Sequence, residues 1–245
     1  MKHLKLFKTI TEYETFVQSS EYVEPHVSYC EDDMTVHYNL SSPTPSVEYV
    51  DLGLASGTKW MKYNLGATSE TEYGLYYQWG AVDGYTDDEA LAHSSWTTTP
   101  FNGGADEYDN EYWTSHKSEA VDSNNELLLV NDCIYQATGG VAKLPTKAQI
   151  EELISLSSEW IEDYNGSGVN GRLFTGTNGN TLFIPAAGCY DYDYFSGEGE
   201  ELYYWSVSLY EGYEDYAWYL YAYREDGGCY ERNRYVGMSV RGVLC

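Results

Sequence analysis

Leu144-Pro-Thr-Lys-Ala-Gln-Ile-Glu-Glu-Leu-Ile-Ser-Leu156 is the one stretch of this 245-residue chain with an unambiguous helical period. Thr146 and Gln149 form a capping box, and Ile150, Leu153, Ile154 and Leu156 make an i, i+3, i+4 stripe. Downstream the period changes to two. Gly171-Arg-Leu-Phe174, Thr181-Leu-Phe-Ile184, Tyr203-Tyr-Trp-Ser206, Ala217-Trp-Tyr-Leu-Tyr221 and Met238-Ser-Val-Arg-Gly-Val243 read as short strands between Gly, Asn and Asp turns. One capped helix followed by a series of strands predicts an α+β domain, with a second brief helix near 131–138 that Asn131-Asp132 would cap.

Working towards the amino terminus, residues 83–126 are acidic and poor in aliphatics until Leu127, and read as a long loop. Ser41-Ser-Pro-Thr-Pro-Ser46 reads as a linker, because two prolines among hydroxyl residues leave no apolar period. It separates a domain at 46–245 from a small α/β leader at 1–45. In the leader, Thr11 and Glu14 predict a capped helix over 11–19. Val27-Ser-Tyr-Cys30 and Met34-Thr-Val-His-Tyr38 predict a hairpin across Glu31-Asp-Asp33.

Composition excludes several classes. Thirteen Lys and Arg against 39 Asp and Glu leave a net charge of −26. That balance argues against nucleic acid and against anionic membrane surfaces, both of which need clustered positive charge. No stretch approaches the ~20 apolar residues of a membrane span, and the basic start Met1–Ile10 has no apolar core behind it. A soluble protein without a signal peptide is the expectation. Cys30, Cys133, Cys189, Cys229 and Cys245 are odd in number and irregular in spacing, so free thiols are expected rather than a disulfide framework or a zinc site.

Catalytic and cofactor motifs are weak. Gly166-Ser-Gly-Val-Asn-Gly171 matches G-x-G-x-x-G, but a strand follows it where a dinucleotide site needs a helix, so it reads as a turn. The five histidines are isolated and none follows His116, which disfavours His-based catalysis. Asp83, Asp87, Asp88 and Glu89 could hold a structural Ca²⁺, although no EF-hand spacing is present and a solvated acidic loop is the simpler reading. No other cofactor is expected.

The unusual number is 27 Tyr against 6 Phe and 7 Trp, with thirteen of the tyrosines after residue 188. Tyr offers a rigid contact area with a polar tip, as binding surfaces require, and it is also a strong strand former. Three tyrosine-rich runs lie between framework strands. They are Tyr190-Asp-Tyr-Asp-Tyr194, Tyr210-Glu-Gly-Tyr-Glu-Asp-Tyr216 and Tyr223–Tyr235. The candidate ligand contacts are Tyr190, Asp191, Tyr192, Asp193 and Tyr194 in the first run, and Tyr210, Tyr213, Asp215 and Tyr216 in the second. The third run supplies Tyr223, Arg224, Asp226, Tyr230, Arg232, Asn233, Arg234 and Tyr235. These residues are expected on one surface, with Arg providing fork-shaped donors. For each single Tyr, a strand-face role competes equally with ligand contact.

Val50-Asp-Leu-Gly-Leu-Ala-Ser-Gly-Thr-Lys-Trp60 carries a resemblance, supported in order by further runs. These are Asn64-Leu-Gly-Ala-Thr68, Tyr73-Gly74, Tyr77-Gln-Trp-Gly80, Leu144-Pro-Thr-Lys147, Ile184-Pro-Ala-Ala-Gly188, Tyr204-Trp-Ser206 and Gly237-Met-Ser-Val-Arg241. Residues 47–245 thereby resemble a family abundant in gut Bacteroidales and their phages. Its fold is C-type-lectin-like, related to that of formylglycine-generating enzymes, and many members are variable proteins of diversity-generating retroelements. The resemblance implies a non-enzymatic receptor-binding protein at a phage tail tip, with a bacterial surface protein or glycan as receptor. It also implies a virion tail component held through the leader, and a homotrimer. A bacterial cell-surface adhesin of the same fold is the main alternative, and a formylglycine-generating-type oxidase a lesser one. The sequence departs from the enzymatic and from the sugar-binding relatives of that fold. The copper-binding Cys pair of the oxidases has no counterpart here, and neither does the Trp-Asn-Asp of calcium-dependent lectins; Glu24-Pro25 lies in the leader. Adenine-directed mutation yields Tyr, Asp, Gly, Ser, Asn, Cys and Arg, whereas Glu198, Glu200, Glu201, Glu211, Glu214, Glu225 and Glu231 lie outside that set.

Overall fold

A computed structural model describes residues 5–7, 26–30, 35–39, 47–92, 110–191 and 194–245. The chain divides into two compact units, Met1–Ser46 and Val47–Cys245. In the first, β1 (Lys5–Phe7) pairs in parallel with β2 (His26–Cys30), which pairs antiparallel with β3 (Thr35–Asn39). The hairpin expected there is present, with Val27 opposite Tyr38 and Tyr29 opposite Val36. The helix expected over 11–19 lies outside the described residues.

The second unit is mixed α+β and dominated by sheet. A four-stranded sheet runs β4 (Tyr49–Asp51), β5 (Lys59–Met61), β17 (Val243–Leu244) and β7 (Ala142–Lys143). A three-stranded antiparallel sheet joins β10 (Thr181–Pro185), β9 (Gly171–Thr175) and β8 (Ser157–Ile161). The largest sheet has seven strands. Its order is β12 (Tyr194–Glu198), β11 (Ala187–Asp191), β16 (Gly237–Ser239), β13 (Leu202–Leu209), β14 (Tyr216–Ala222) and β15 (Gly227–Asn233). The seventh strand, β6 (Tyr76–Tyr77), also pairs with β16. No helix among the described residues is long and apolar enough to cross a membrane.

Local chemistry explains where the helices sit. The helix α4 (Lys147–Ile154) starts at the expected box: Thr146 Oγ1 accepts from Gln149 N, and Gln149 Oε1 accepts from Thr146 N. Its Ile150 and Leu153 are buried. The helix α3 (Cys133–Thr138) is capped by Asp132, whose side chain accepts from Ile134 N and Tyr135 N, and it ends at Gly139 with φ 63°. Residues 83–126 depart from the expected loop. Asp87–Ala92 forms α1 and Asn110–Ala120 forms α2, and Trp113 of α2 is fully buried. A helix tolerates a polar sequence when one large aromatic anchors it to a core, which aliphatic periodicity does not detect. Asp87, Asp88 and Glu89 form the first turn of α1, where negative charge is favourable, and Glu89 accepts from both Thr86 N and Thr86 Oγ1.

Two apolar clusters form the core. One gathers Tyr77, Trp79, Trp113, Trp205, Tyr219 and Met238; the other Leu52, Trp60, Ile150, Phe174, Tyr204 and Leu220. Tyrosines enter this core because their hydroxyls find acceptors. Tyr76 donates to Ala187 O at 2.7 Å, and Tyr204 donates to Pro185 O at 2.8 Å. The motif segments converge beside them. Asn64, 1% exposed, accepts from Arg241 Nε at 2.7 Å and donates to the Tyr204 hydroxyl at 3.0 Å. Arg241 also donates to the Met61 and Lys62 carbonyls, and burial pulls its guanidinium down to about 10. It therefore remains charged at neutral pH. Gly188 shows why that position takes glycine: its φ is +66°, and a Cβ there would lie 2.5 Å from Ser196 O.

Candidate binding face

Strand alternation on the seven-stranded sheet creates the candidate site. Because Tyr203 pairs with Tyr221, Trp205 with Tyr219, and Tyr219 with Tyr230, all five rings and Arg232 share one face. Tyr204, Trp218, Leu220 and Cys229 point to the other. On the first face the rings form a continuous ladder. Tyr203 stacks on Tyr219 at 5.7 Å, while Tyr221 meets Tyr203 at 5.2 Å, Tyr223 at 5.8 Å and Tyr230 at 5.9 Å. Trp205, Tyr203 and Tyr219 are a buried floor, whereas Tyr223 is 36% and Tyr230 47% exposed. A graded aromatic surface of this kind suits an anchor residue in a desolvated centre with a polar rim.

Charge frames the ladder at two points. Glu201 accepts hydroxyl hydrogen bonds from Tyr203, at 2.9 Å, and from Tyr221. Asp191, 6% exposed, pairs with Arg232, whose guanidinium carbon lies 6.0 Å from the Tyr203 ring. Burial pulls Arg232 down, but Cys189, Asp191 and Tyr219 outweigh it and hold the guanidinium above its ordinary value. Burial, assisted by the neighbouring Cys189 and Glu201, raises the Tyr203 hydroxyl. Burial followed by the Glu201 contact does the same for Tyr221. Tyr194, half exposed beside this corner, is raised mainly by Asp191. Tyr203, Tyr219 and Tyr221 are thus neutral donors at physiological pH.

The residues expected to bind do not form one surface. Asp191, Tyr194, Tyr223, Tyr230 and Arg232 gather at the ladder. Tyr210, Tyr213 and Tyr216 form a second cluster that packs at 5.1 Å on Trp218 through Tyr210. Trp218 faces away from the ladder and carries Lys147 Nζ 3.6 Å above its ring. Asp215 and Asn233 belong to this second edge, 3.5 Å apart. A seven-residue strand, β15, runs through what reads as a variable segment, and its alternation divides the run between two faces.

Two expected contacts are corrected outright. Tyr190 is 2% exposed: its ring meets Tyr76 edge-on at 4.8 Å and stacks on Phe195 at 4.4 Å. Arg234 is 2% exposed, with its guanidinium carbon 4.1 Å from the Trp113 ring and 5.7 Å from Trp79. Both belong to the core because each sits on an inward strand or strand-end position, which the tyrosine and arginine counts could not reveal. Tyr235 is half-buried, and its carbonyl accepts from Gln78 Nε2. Arg224 pairs with Glu162 at the surface, and the Asp226 side chain accepts from Gly227 N. Tyr192 and Asp193 lie outside the described residues. Composition passed over Glu201, Tyr203, Tyr219 and Tyr221, although the alternation in Tyr203–Ser206 and Ala217–Tyr221 was the signal that could have placed them on one face.

No family model, curated protein or solved structure matches this chain. Among the described residues no three His, Cys, Asp or Glu side chains come together as metal ligands. The described thiols are free, with Cys133 and Cys189 buried, Cys229 partly so and Cys245 exposed. Burial raises the Cys133 thiol and pushes Cys189 and Cys229 up to about 12. In native protein at pH 8, iodoacetamide should label Cys245 at least about tenfold faster than these three, because the thiolate is the reactive form. Peptide mapping of a time course measures this directly. Equal labelling of Cys189 and Cys245 would contradict the burial described.

Proposed function

We propose that this protein is a non-enzymatic ligand-binding protein whose contact surface is the tyrosine ladder of the seven-stranded sheet. The observation that carries the proposal is the continuity of Tyr203, Tyr219, Tyr221, Tyr223 and Tyr230 from a buried floor to an exposed rim. Large rigid rings with hydroxyl tips, flanked by one guanidinium and two carboxylates, can pack on protein or stack on sugar while donating hydrogen bonds. With the motif resemblance of residues 47–245, we read the fold as C-type-lectin-like. On the same basis we place the protein at a phage tail tip, recognising a bacterial surface ligand, with the leader as the attachment element. A neighbouring reverse transcriptase gene, with a template repeat differing from the 3′ coding end at adenines, would support diversification of this surface.

The binding test uses intact Bacteroidales cells and a printed array of their surface glycans as probes. Tyr230→Ala and Tyr194→Ala should each weaken binding by about 1–3 kcal/mol, as aromatic contacts do when a ligand covers and desolvates them, with the melting temperature essentially unchanged. Tyr213→Ala, on the second cluster, should leave binding intact. Full binding by both rim variants, or loss of binding confined to Tyr213→Ala, would overturn the assignment of the ladder.

A further inference from the structure

Beside the ladder lies a cleft of about 340 Å³ lined by Trp160, Asn170, Gly199, Glu200, Glu201, Tyr223, Arg224 and Glu225. Its size falls at the lower end for small-molecule sites. Two turns form its walls, and the β8–β9 sheet holds both. Asn170 Nδ2 donates to Gly199 O at 2.9 Å, and Arg172 Nη2 donates to Tyr223 O at 2.6 Å. Within the second turn, Tyr223 N donates to Asp226 O. The cleft is therefore preformed rather than assembled by a ligand, which lowers the ordering cost of binding.

Its polar groups differ in availability. Arg224 is engaged by Glu162, and Glu201 already accepts from two tyrosine hydroxyls. Asn170 is held at both ends, since its Oδ1 also accepts from Asp163 N. The side chains of Glu200 and Glu225 have no partner among the described residues. What remains open to a guest is the two carboxylates of Glu200 and Glu225, with the aromatic side chains of Trp160 and Tyr223 in the same lining. Carboxylates and aromatic faces attract the same kind of group, a cation, the first through charge and the second through the ring quadrupole. A broad cleft with several oxygen acceptors suits a hydroxylated ring better than a single extended side chain.

We infer that this cleft binds an amino sugar, with its protonated amine between Glu200 and Glu225 and its ring against Trp160 or Tyr223. The inference rests on the ligand-binding reading and names the chemistry of one terminal unit of that ligand. Because Glu201 borders the cleft and also ties the ladder tyrosines together, one chain of sugars could occupy both.

The test titrates the full chain with D-glucosamine, N-acetylglucosamine, glucose and Nα-acetyl-lysine methylamide by ligand-observed NMR at low salt. Glucosamine should bind, N-acetylglucosamine and glucose at least about tenfold more weakly, and 0.5 M NaCl should reduce the glucosamine signal through screening. The double variant Glu200→Gln/Glu225→Gln should lose about tenfold in glucosamine affinity. Tyr223→Ala should also weaken it, and both variants should melt with the parent because the substituted residues are exposed. No glucosamine binding, equal binding of N-acetylglucosamine, or unchanged binding by the double variant would overturn the inference. Lysine amide binding as tightly as glucosamine would overturn the sugar assignment. The ladder is scored separately through Tyr230→Ala on cells, so a cleft that binds nothing leaves that result standing, and the reverse also holds.

Discussion

Raising the pH from 9 to 12 should unfold the Val47–Cys245 unit cooperatively, with tyrosinate absorbance and loss of sheet signal appearing together. Tyr76, Tyr77, Tyr203, Tyr204 and Tyr219 are all buried, and desolvation is the leading reason each hydroxyl resists ionisation well above its usual range. The unfolded chain ionises its tyrosines near pH 10. Folded-state values above the unfolded one mean that the stability is fully present below pH 10. It is then lost as the pH rises towards the folded values, because the unfolded state releases protons first. Each such tyrosine removes about 1.4 kcal/mol per pH unit. A domain stable by about 5–15 kcal/mol cannot carry several of them for long, so the transition should fall within about two pH units of 10. Circular dichroism and absorbance at 295 nm, followed in one titration, check this. Gradual tyrosinate formation centred on pH 10 with the sheet intact would show that these rings are accessible, and the core described here would be wrong.

Asp132→Ala should destabilise the same unit by about 2–4 kcal/mol. Asp132 is 0% exposed and its carboxylate joins the ends of two elements. Oδ1 accepts from Ile134 N and Tyr135 N, capping α3, while Oδ2 accepts from Leu144 N at 2.8 Å, just past β7. Alanine leaves those donors buried without partners and removes a cap, and these two penalties combine in one side chain. Asp132→Asn should cost roughly half as much, since its single amide oxygen can keep either the cap or the Leu144 bond but not both. Chemical denaturation of the three proteins reads the difference. A loss under about 1 kcal/mol for alanine would mean that water replaces the carboxylate, against its complete burial.

The elements that could be read from residues alone are those whose cause is local. The box at Thr146 and Gln149, the cap at Asp132 and the period-two runs at 171–174, 181–184, 203–206 and 217–221 all became the structure they predict. Each depends on neighbours within a few positions, so the information lies in the sequence window itself. The helix α2 could not be read this way, because Trp113 holds it to a core assembled from distant strands. The same distinction separates the candidate site into two parts. That tyrosine and arginine accumulate after residue 188 is a property of composition, and so is the expectation of a contact surface. Which of them face solvent is decided by strand register, because alternation sends neighbours to opposite faces and a partner strand sets the depth of each. Tyr190 and Arg234 therefore went to the core, Tyr213 to a second cluster, and Tyr230 and Arg232 to the ladder with Tyr203, Tyr219 and Tyr221. Pairings such as Tyr203 with Tyr221 and Asp191 with Arg232 join residues 18 and 41 positions apart, with only the folded sheet bringing them into contact.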